Sequence, residues 1–218
     1  RIPGLKADLN NVADMKPIVE RGARFRKEIK ELDDQQNRMR QVGTAHLMEI
    51  MDEYDLLPVK NFQYGSHPEA GKISSDKFKE RFTQGVPDGC WVGCMMSCCK
   101  TAENFVPKTG PYKGQKVTVE GPEYETAAGV GSNCGIFDVD AVLELNFYCD
   151  TYGIDTISFG TATAFAMECF ENGIIDESDT GGLKLNFGNA EAALEILHQM
   201  ARGEGFGYNL GLQWRVRD

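Results

Sequence analysis

The chain has 218 residues, a net charge of −10, a pI near 4.9 and 41% hydrophobic content. That balance argues against nucleic acid as a partner, which needs concentrated Lys and Arg, and no apolar run approaches the roughly 18 residues that span a bilayer. Seven cysteines are too few, and odd in number, for a disulfide scaffold, while the length suffices for a core without covalent staples.

Arg1-Ile2-Pro3, without a Met, reads as the start of a piece of something larger. No signal peptide is recognisable and the thiols suit a reducing compartment, so a cytoplasmic location is expected. Residues 1–15 carry no clear period. From Pro17, apolar residues at Ile18, Phe25, Ile29 and Leu32 with charges between them predict an amphipathic helix. Proline suits its first turn, where the missing N–H has no partner anyway. The basic stretch Arg21 to Lys30 is interleaved with Glu20 and Glu28 and reads as a solvated helix face. Thr44 is expected to cap a helix over Ala45 to Tyr54 that ends before Pro58. Residues 58–89 read as loop with short helical pieces, and 103–122 as irregular, with a short strand at Lys116 to Val119.

The second half is more regular. Asp138 to Thr151 predicts a helix with an acid at its positive end and Gly153 past its stop. Thr161 to Glu171 is nearly all apolar, predicting a helix buried on most sides. Asn189 should cap a helix over Ala190 to Ala201, with Ala193, Leu194, Leu197 and Met200 on one face. The expected fold is mainly α: one multihelical domain over residues 1–218, with irregular loops carrying the unusual residues.

Chemistry concentrates in two places. Gly89-Cys-Trp-Val-Gly-Cys-Met-Met-Ser-Cys-Cys-Lys100 spaces Cys90, Cys94 and Cys98 evenly, with Cys99 directly behind. Thiolates from one short loop hold iron–sulfur clusters, and Gly89 and Gly93 suit the tight turns required. Three cysteines can take three corners of a [4Fe–4S] cube, the fourth ligand being Cys99, a distant cysteine, or a residue outside this chain. Structural zinc is the rival, although its pairs usually recur further along as a second pair or a His. Cys134, Cys149 and Cys169 read as ordinary buried thiols.

The second place is Asp150-Thr-Tyr-Gly-Ile-Asp155. Helix C-termini disfavour anions by about 0.3–1 kcal/mol, so Asp150 stands against local preference, and such conflicts mark function. Two carboxylates on a stop turn can accept paired N–H donors of a heterocycle; a solvated Asp, or one bonding its own backbone, is the plain alternative. Glu195 and His198 share a helix face as a Glu-x-x-His pair, a carboxylate–imidazole metal arrangement in helical bundles. Solvated side chains are the alternative there. His46 and His67 read as surface or core residues.

Taken together, Leu57-Pro-Val-Lys-Asn-Phe62, the cysteine cluster, Gly121-Pro-Glu-Tyr-Glu-Thr126, Gly131-Ser-Asn-Cys-Gly135 and Asp150-x-x-Gly-Ile-Asp155 with Thr156-Ile-Ser158 resemble the tungsten-dependent aldehyde:ferredoxin oxidoreductase family. The resemblance implies the family's helical domains, with an N-terminal sheet domain and most of a C-terminal domain lying outside the chain. It implies a tungsten (or molybdenum) bis-pterin beside a [4Fe–4S] cluster, a small aldehyde as substrate, and ferredoxin or another carrier as electron acceptor. Cys90, Cys94 and Cys98 would be cluster ligands, and Asp150, Gly153, Ile154 and Asp155 would grip one pterin. Glu125 would sit near tungsten as a proton-transfer group. Some members join two subunits through a single iron, which Glu144 and His198 would match, implying a homo-oligomer. Six residues separate Glu144 from Asp150, about 120° around the helix, so the two should face different surroundings.

One departure stands out. The family usual is C-x2-C-x3-C and this chain has C-x3-C-x3-C, which leaves three readings open: one residue loops out, Cys99 replaces Cys98, or the cluster is of another type. A benzoyl-coenzyme A reductase-type subunit and a non-catalytic iron–sulfur or zinc interaction domain are the alternatives. The intact Glu123-Tyr-Glu-Thr126 favours the aldehyde branch.

Overall fold

The structure is a computed structural model that describes residues 15–83, 94 and 96–212. Cys90 lies outside them. Helix α1 (Met15–Leu32) is followed, after a break at Asp33, by α2 (Asp34–Val42), a helix with no distinct sequence signal. The apolar stripe of α1 stays largely uncovered, with Phe25 and Leu32 both exposed. A 3-10 turn, Thr44–His46, leads into α3 (Leu47–Glu53). The expected Thr44 cap is absent. Its hydroxyl instead donates to Glu123 and accepts from the Tyr124 N–H at 2.9 Å, so a tertiary partner outcompetes the local one.

A short α4 (Ser75–Lys79) lies within the stretch expected to hold helical pieces. The one sheet among the described residues is an antiparallel pair, β1 (Thr101–Phe105) and β2 (Val117–Glu120), in which Thr101 faces Glu120 and Ala102 faces Val119. Strand β1 had no clear signal, because Asn104 interrupts it with left-handed backbone (φ 60°) where the register shifts.

The short α5 (Tyr124–Thr126) runs into a π turn, Ala127–Gly131, and a 3-10 turn, Ser132–Cys134. Two motifs noted in the sequence meet here. Lys60, Asn61 and Phe62 all adopt left-handed backbone, a costly conformation for non-glycine residues. It is held by Ser132 O and by the backbone and side-chain oxygens of Asn133, which accept the three N–H groups at 3.1, 2.9 and 3.0 Å.

Helices α6 (Val139–Tyr152), α7 (Thr156–Glu171) and α8 (Ala190–Arg202) supply most of the core, through residues such as Leu143, Leu145, Tyr148, Phe159, Met167 and Leu197. Asn189 caps as expected, accepting from Ala192 N at 3.1 Å, and Asp138, expected as the first residue of its helix, instead stands just before it as the cap, accepting from Ala141 N at 2.8 Å. Helix α7 starts earlier than its apolar run because Asp155 caps it, accepting from Ser158 N at 2.7 Å. Its burial is one-sided: Ile157 and Phe165 are exposed. The closing α9 (Gly205–Leu212) was not expected, being glycine-rich. Gly207 lets it lie against α8, since a Cβ there would sit 2.4 Å from Ile196 O.

Helix α7 packs closely on the π turn. A Cβ on Gly160 would lie 2.5 Å from the Gly129 carbonyl carbon and 2.6 Å from its oxygen, both backbone atoms. Gly160→Ala is therefore expected to destabilise the fold by about 1–3 kcal/mol, measured as a lower urea midpoint with unchanged slope.

Candidate cofactor site

The thiol loop runs directly into β1, and Gly121 directly follows β2. The Gly121 N–H donates to Lys100 O at 2.7 Å, extending the hairpin contact to the cysteines. On α6, Asn146 Nδ2 donates to Glu120 O at 2.6 Å. Asp150 lies one turn further along the same helix face. The result is a cavity of about 550 Å³ whose lining includes Cys98, Cys99, Glu120, Gly121, Asn146 and Asp150. Three segments far apart in the chain thus bring thiols and an acidic helix end to one space.

The thiols there are desolvated. Cys98 is pushed up by burial, by the Glu123 carboxylate and by Cys94; Cys99 is pushed up to about 12 by burial and Glu123. A bound metal reverses that preference, because the cation stabilises the thiolate outright. Lys100 is buried and donates to the carbonyls of Ser97 and Cys99 at 2.8 and 2.9 Å. No carboxylate lies within ion-pair distance of it among the described residues. A buried ammonium is costly; burial lowers its pKa, while Cys98, Cys99 and the Glu123 carboxylate act in the opposite direction. A thiolate-ligated cluster carrying net negative charge would offset that cost, so the residues present fit such a group. Among the described residues no three His, Cys, Asp or Glu side chains converge as a metal site. The expected set needs Cys90, which lies outside those residues.

Asp150 is exposed towards the cavity, yet the surrounding protein and Glu120 hold its pKa above the ordinary carboxylate value. Asp155 differs. Its carboxylate caps α7, and the Ser158 hydroxyl and backbone hold its pKa low. With Ile154 it lines a second cavity of about 470 Å³ alongside Met200 and Tyr208. Gly153, at φ 70°, ends α6. Among the described residues, Asp150 and Asp155 thus line two different cavities.

Glu125 is exposed on α5; its neighbour Glu123 is the carboxylate that reaches the thiols. Glu123, Lys100 and Asn146 are the residues that sequence reasoning missed. Glu123 at least sat inside a recognised motif.

Glu144 and His198 form a separate cluster. Both are buried, and Thr109 joins them, its hydroxyl lying 2.6 Å from Glu144 Oε1 and 2.9 Å from His198 Nε2. Burial lowers the His198 pKa. Glu144 and Asp150 face different surroundings, as their spacing implied. Glu195 pairs with Arg202 at 2.8 Å rather than turning to His198. His67 stacks on Phe137 and His46 meets Gln35 at 2.9 Å.

The family profile described as "Aldehyde ferredoxin oxidoreductase, domains 2 & 3" matches residues 20–213. The tungsten-containing aldehyde ferredoxin oxidoreductases of Pyrococcus horikoshii and Pyrococcus furiosus are each 36% identical, over 168 and 169 residues, covering 76% and 77% of this chain. An aliphatic sulfonate oxidoreductase, WOR-like subunit, from Pyrococcus furiosus is 31% identical over 69% of the chain. The chain spans 26% of the length of the two aldehyde enzymes and 23% of the third.

The two acids of the stop turn should titrate oppositely. Asp150 has a raised folded pKa, so its charge lowers stability at neutral pH and the cost fades as pH falls towards 3.8. Asp150→Asn should raise the thermal midpoint at pH 7, by less at pH 4. Asp155 has a depressed folded pKa, so its contribution is present above 3.8 and lost below. Asp155→Ala should cost about 0.5–2 kcal/mol at pH 7 through loss of the cap. Thermal melts across pH 4–7 test both signs.

Proposed function

Because this chain belongs to the aldehyde ferredoxin oxidoreductase family, we propose that it is the portion of a tungsten–pterin, iron–sulfur enzyme that supplies cluster thiolates and one pterin grip. The observation that carries this reading is Cys98 and Asp150 lining one cavity. Cys90, Cys94 and Cys98 would be ligands of a [4Fe–4S] cluster, with the fourth thiolate from the remainder of the polypeptide. The Asp150 carboxylate would accept the paired N–H donors of a pterin ring, and Gly153, Ile154 and Asp155 would form the turn that carries it.

When bound, the tungsten (or molybdenum) bis-pterin and the cluster supply two-electron oxidation of an aldehyde to a carboxylic acid and one-electron delivery to ferredoxin or another carrier. This chain contributes positioning and charge. The Lys100 ammonium holds the Ser97 and Cys99 carbonyls and offsets negative charge at the thiolates. Oxidising an aldehyde to the acid consumes one water and releases two protons with two electrons, and Glu125, exposed on α5, would be the candidate to accept one of those protons. The thiols suit a reducing compartment, and the cytoplasm is the proposed location. Among the described residues no helix is long and apolar enough to cross a membrane.

The reading is tested in the full-length protein. Tungsten together with iron on metal analysis supports it, whereas zinc alone rejects it. Cys98→Ser should abolish the cluster EPR signal. Asp150→Ala should lower tungsten and pterin content and leave iron largely intact; unchanged tungsten would remove Asp150 from the site.

A further inference from the structure

We propose that Glu144, Thr109, His198 and Tyr152 form a closed, metal-free hydrogen-bond clasp tying the 107–114 loop across α6 and α8, in place of the subunit-bridging iron that the family resemblance suggested for Glu144 and His198. The inference is independent of the cluster and pterin reading. It rests on counting protons and lone pairs in a buried cluster.

Glu144 accepts from Thr109 N at 2.7 Å and from the Thr109 hydroxyl at 2.6 Å on one oxygen, and from Lys108 N at 3.0 Å on the other. A hydroxyl carries one proton. Thr109 gives that proton to the ionised carboxylate, so towards His198 Nε2, 2.9 Å away, it can only accept. Nε2 therefore bears the ring proton. The other ring nitrogen, Nδ1, lies 2.9 Å from the Tyr152 hydroxyl, whose proton fills its lone pair. This tautomer satisfies every member of the cluster and leaves neither imidazole nitrogen available to a cation, which needs a bare lone pair.

Space gives the same answer. The loop backbone rests on the histidine: a Cβ on Gly110 would lie 2.5 Å from His198 Cε1 and 2.6 Å from the Tyr148 ring and hydroxyl. Tyr148 in turn donates to Thr109 O at 2.6 Å and accepts from Tyr112 N at 3.2 Å. Glu144 and His198 are 2% and 3% exposed, and Lys108 and Thr109 of the loop line, together with Glu144, the cavity of about 840 Å³ beside the cluster. The nearest candidate for a replacement ligand, Glu195, is engaged by Arg202. A subunit-bridging metal would have to displace the loop and leave four loop N–H and C=O groups without partners, a loss that buried polar groups tolerate poorly.

Thr109 distinguishes the clasp from a metal site, because it is central to one and no ligand in the other. In the full-length protein, Thr109→Val should lower the thermal midpoint and speed deuterium uptake in peptides covering 107–114 at least roughly tenfold. Thr109→Ser, which keeps the hydroxyl, should behave like the unaltered protein. Mössbauer spectra should show no mononuclear iron beyond the cluster, and His198→Gln should leave the spectrum unchanged. Val and Ser variants with identical uptake would overturn the proposal. So would a mononuclear iron signal that disappears with His198→Gln and survives Thr109→Val. Should His198→Gln fail to fold, the Val and Ser pair still decides.

Discussion

The side chain of Asn146 donates to the carbonyl of Glu120, and this one bond, at 2.6 Å, joins the two halves of the candidate site. On one side of it stands a hairpin whose first strand continues directly from the thiols. On the other stands the last turn of α6, which ends in Asp150. Both partners are backbone or buried amide groups, so water offers no cheap replacement once they are shielded. The Gly121 to Lys100 contact extends the same tie one residue further.

Helix α6 divides its faces between two tasks. Asp150 turns to the cavity, where the surrounding protein makes ionisation less favourable than in water. Glu144 turns to the interior, where two backbone N–H groups and a hydroxyl stabilise its charge. Like residues thus serve unlike ends because their surroundings differ, not their chemistry. The exposed apolar residues Ile157 and Phe165 on α7 and Phe25 on α1 are the reverse case: apolar surface left facing outward.

Local signals were read most reliably where one residue controls a backbone group nearby. Asn189 caps its helix as expected and Asp138, expected as the first helical residue, caps from just before it, because an N-cap needs only a short acceptor and an adjacent N–H. The same rule gave the wrong answer at Thr44, whose hydroxyl found Glu123 and Tyr124 from far along the chain. It was overlooked at Asp155, because the apolar run after Thr161 drew the helix start away from the true cap. Helix α9 escaped notice since its glycines score poorly for helix, yet close approach to α8 requires one of them.

By itself the sequence determined the mainly helical class, the principal helices of the second half and the residue types able to do redox chemistry, since periodicity, caps and thiol spacing are properties of neighbouring residues. Which groups meet was decided only by the tertiary structure. It brought Asp150 and Cys98 to the lining of one cavity, Asp155 to that of another, and laid Thr109 between Glu144 and His198. Such meetings depend on loops closing across tens of residues, and no local preference encodes where a loop of glycines and prolines will land.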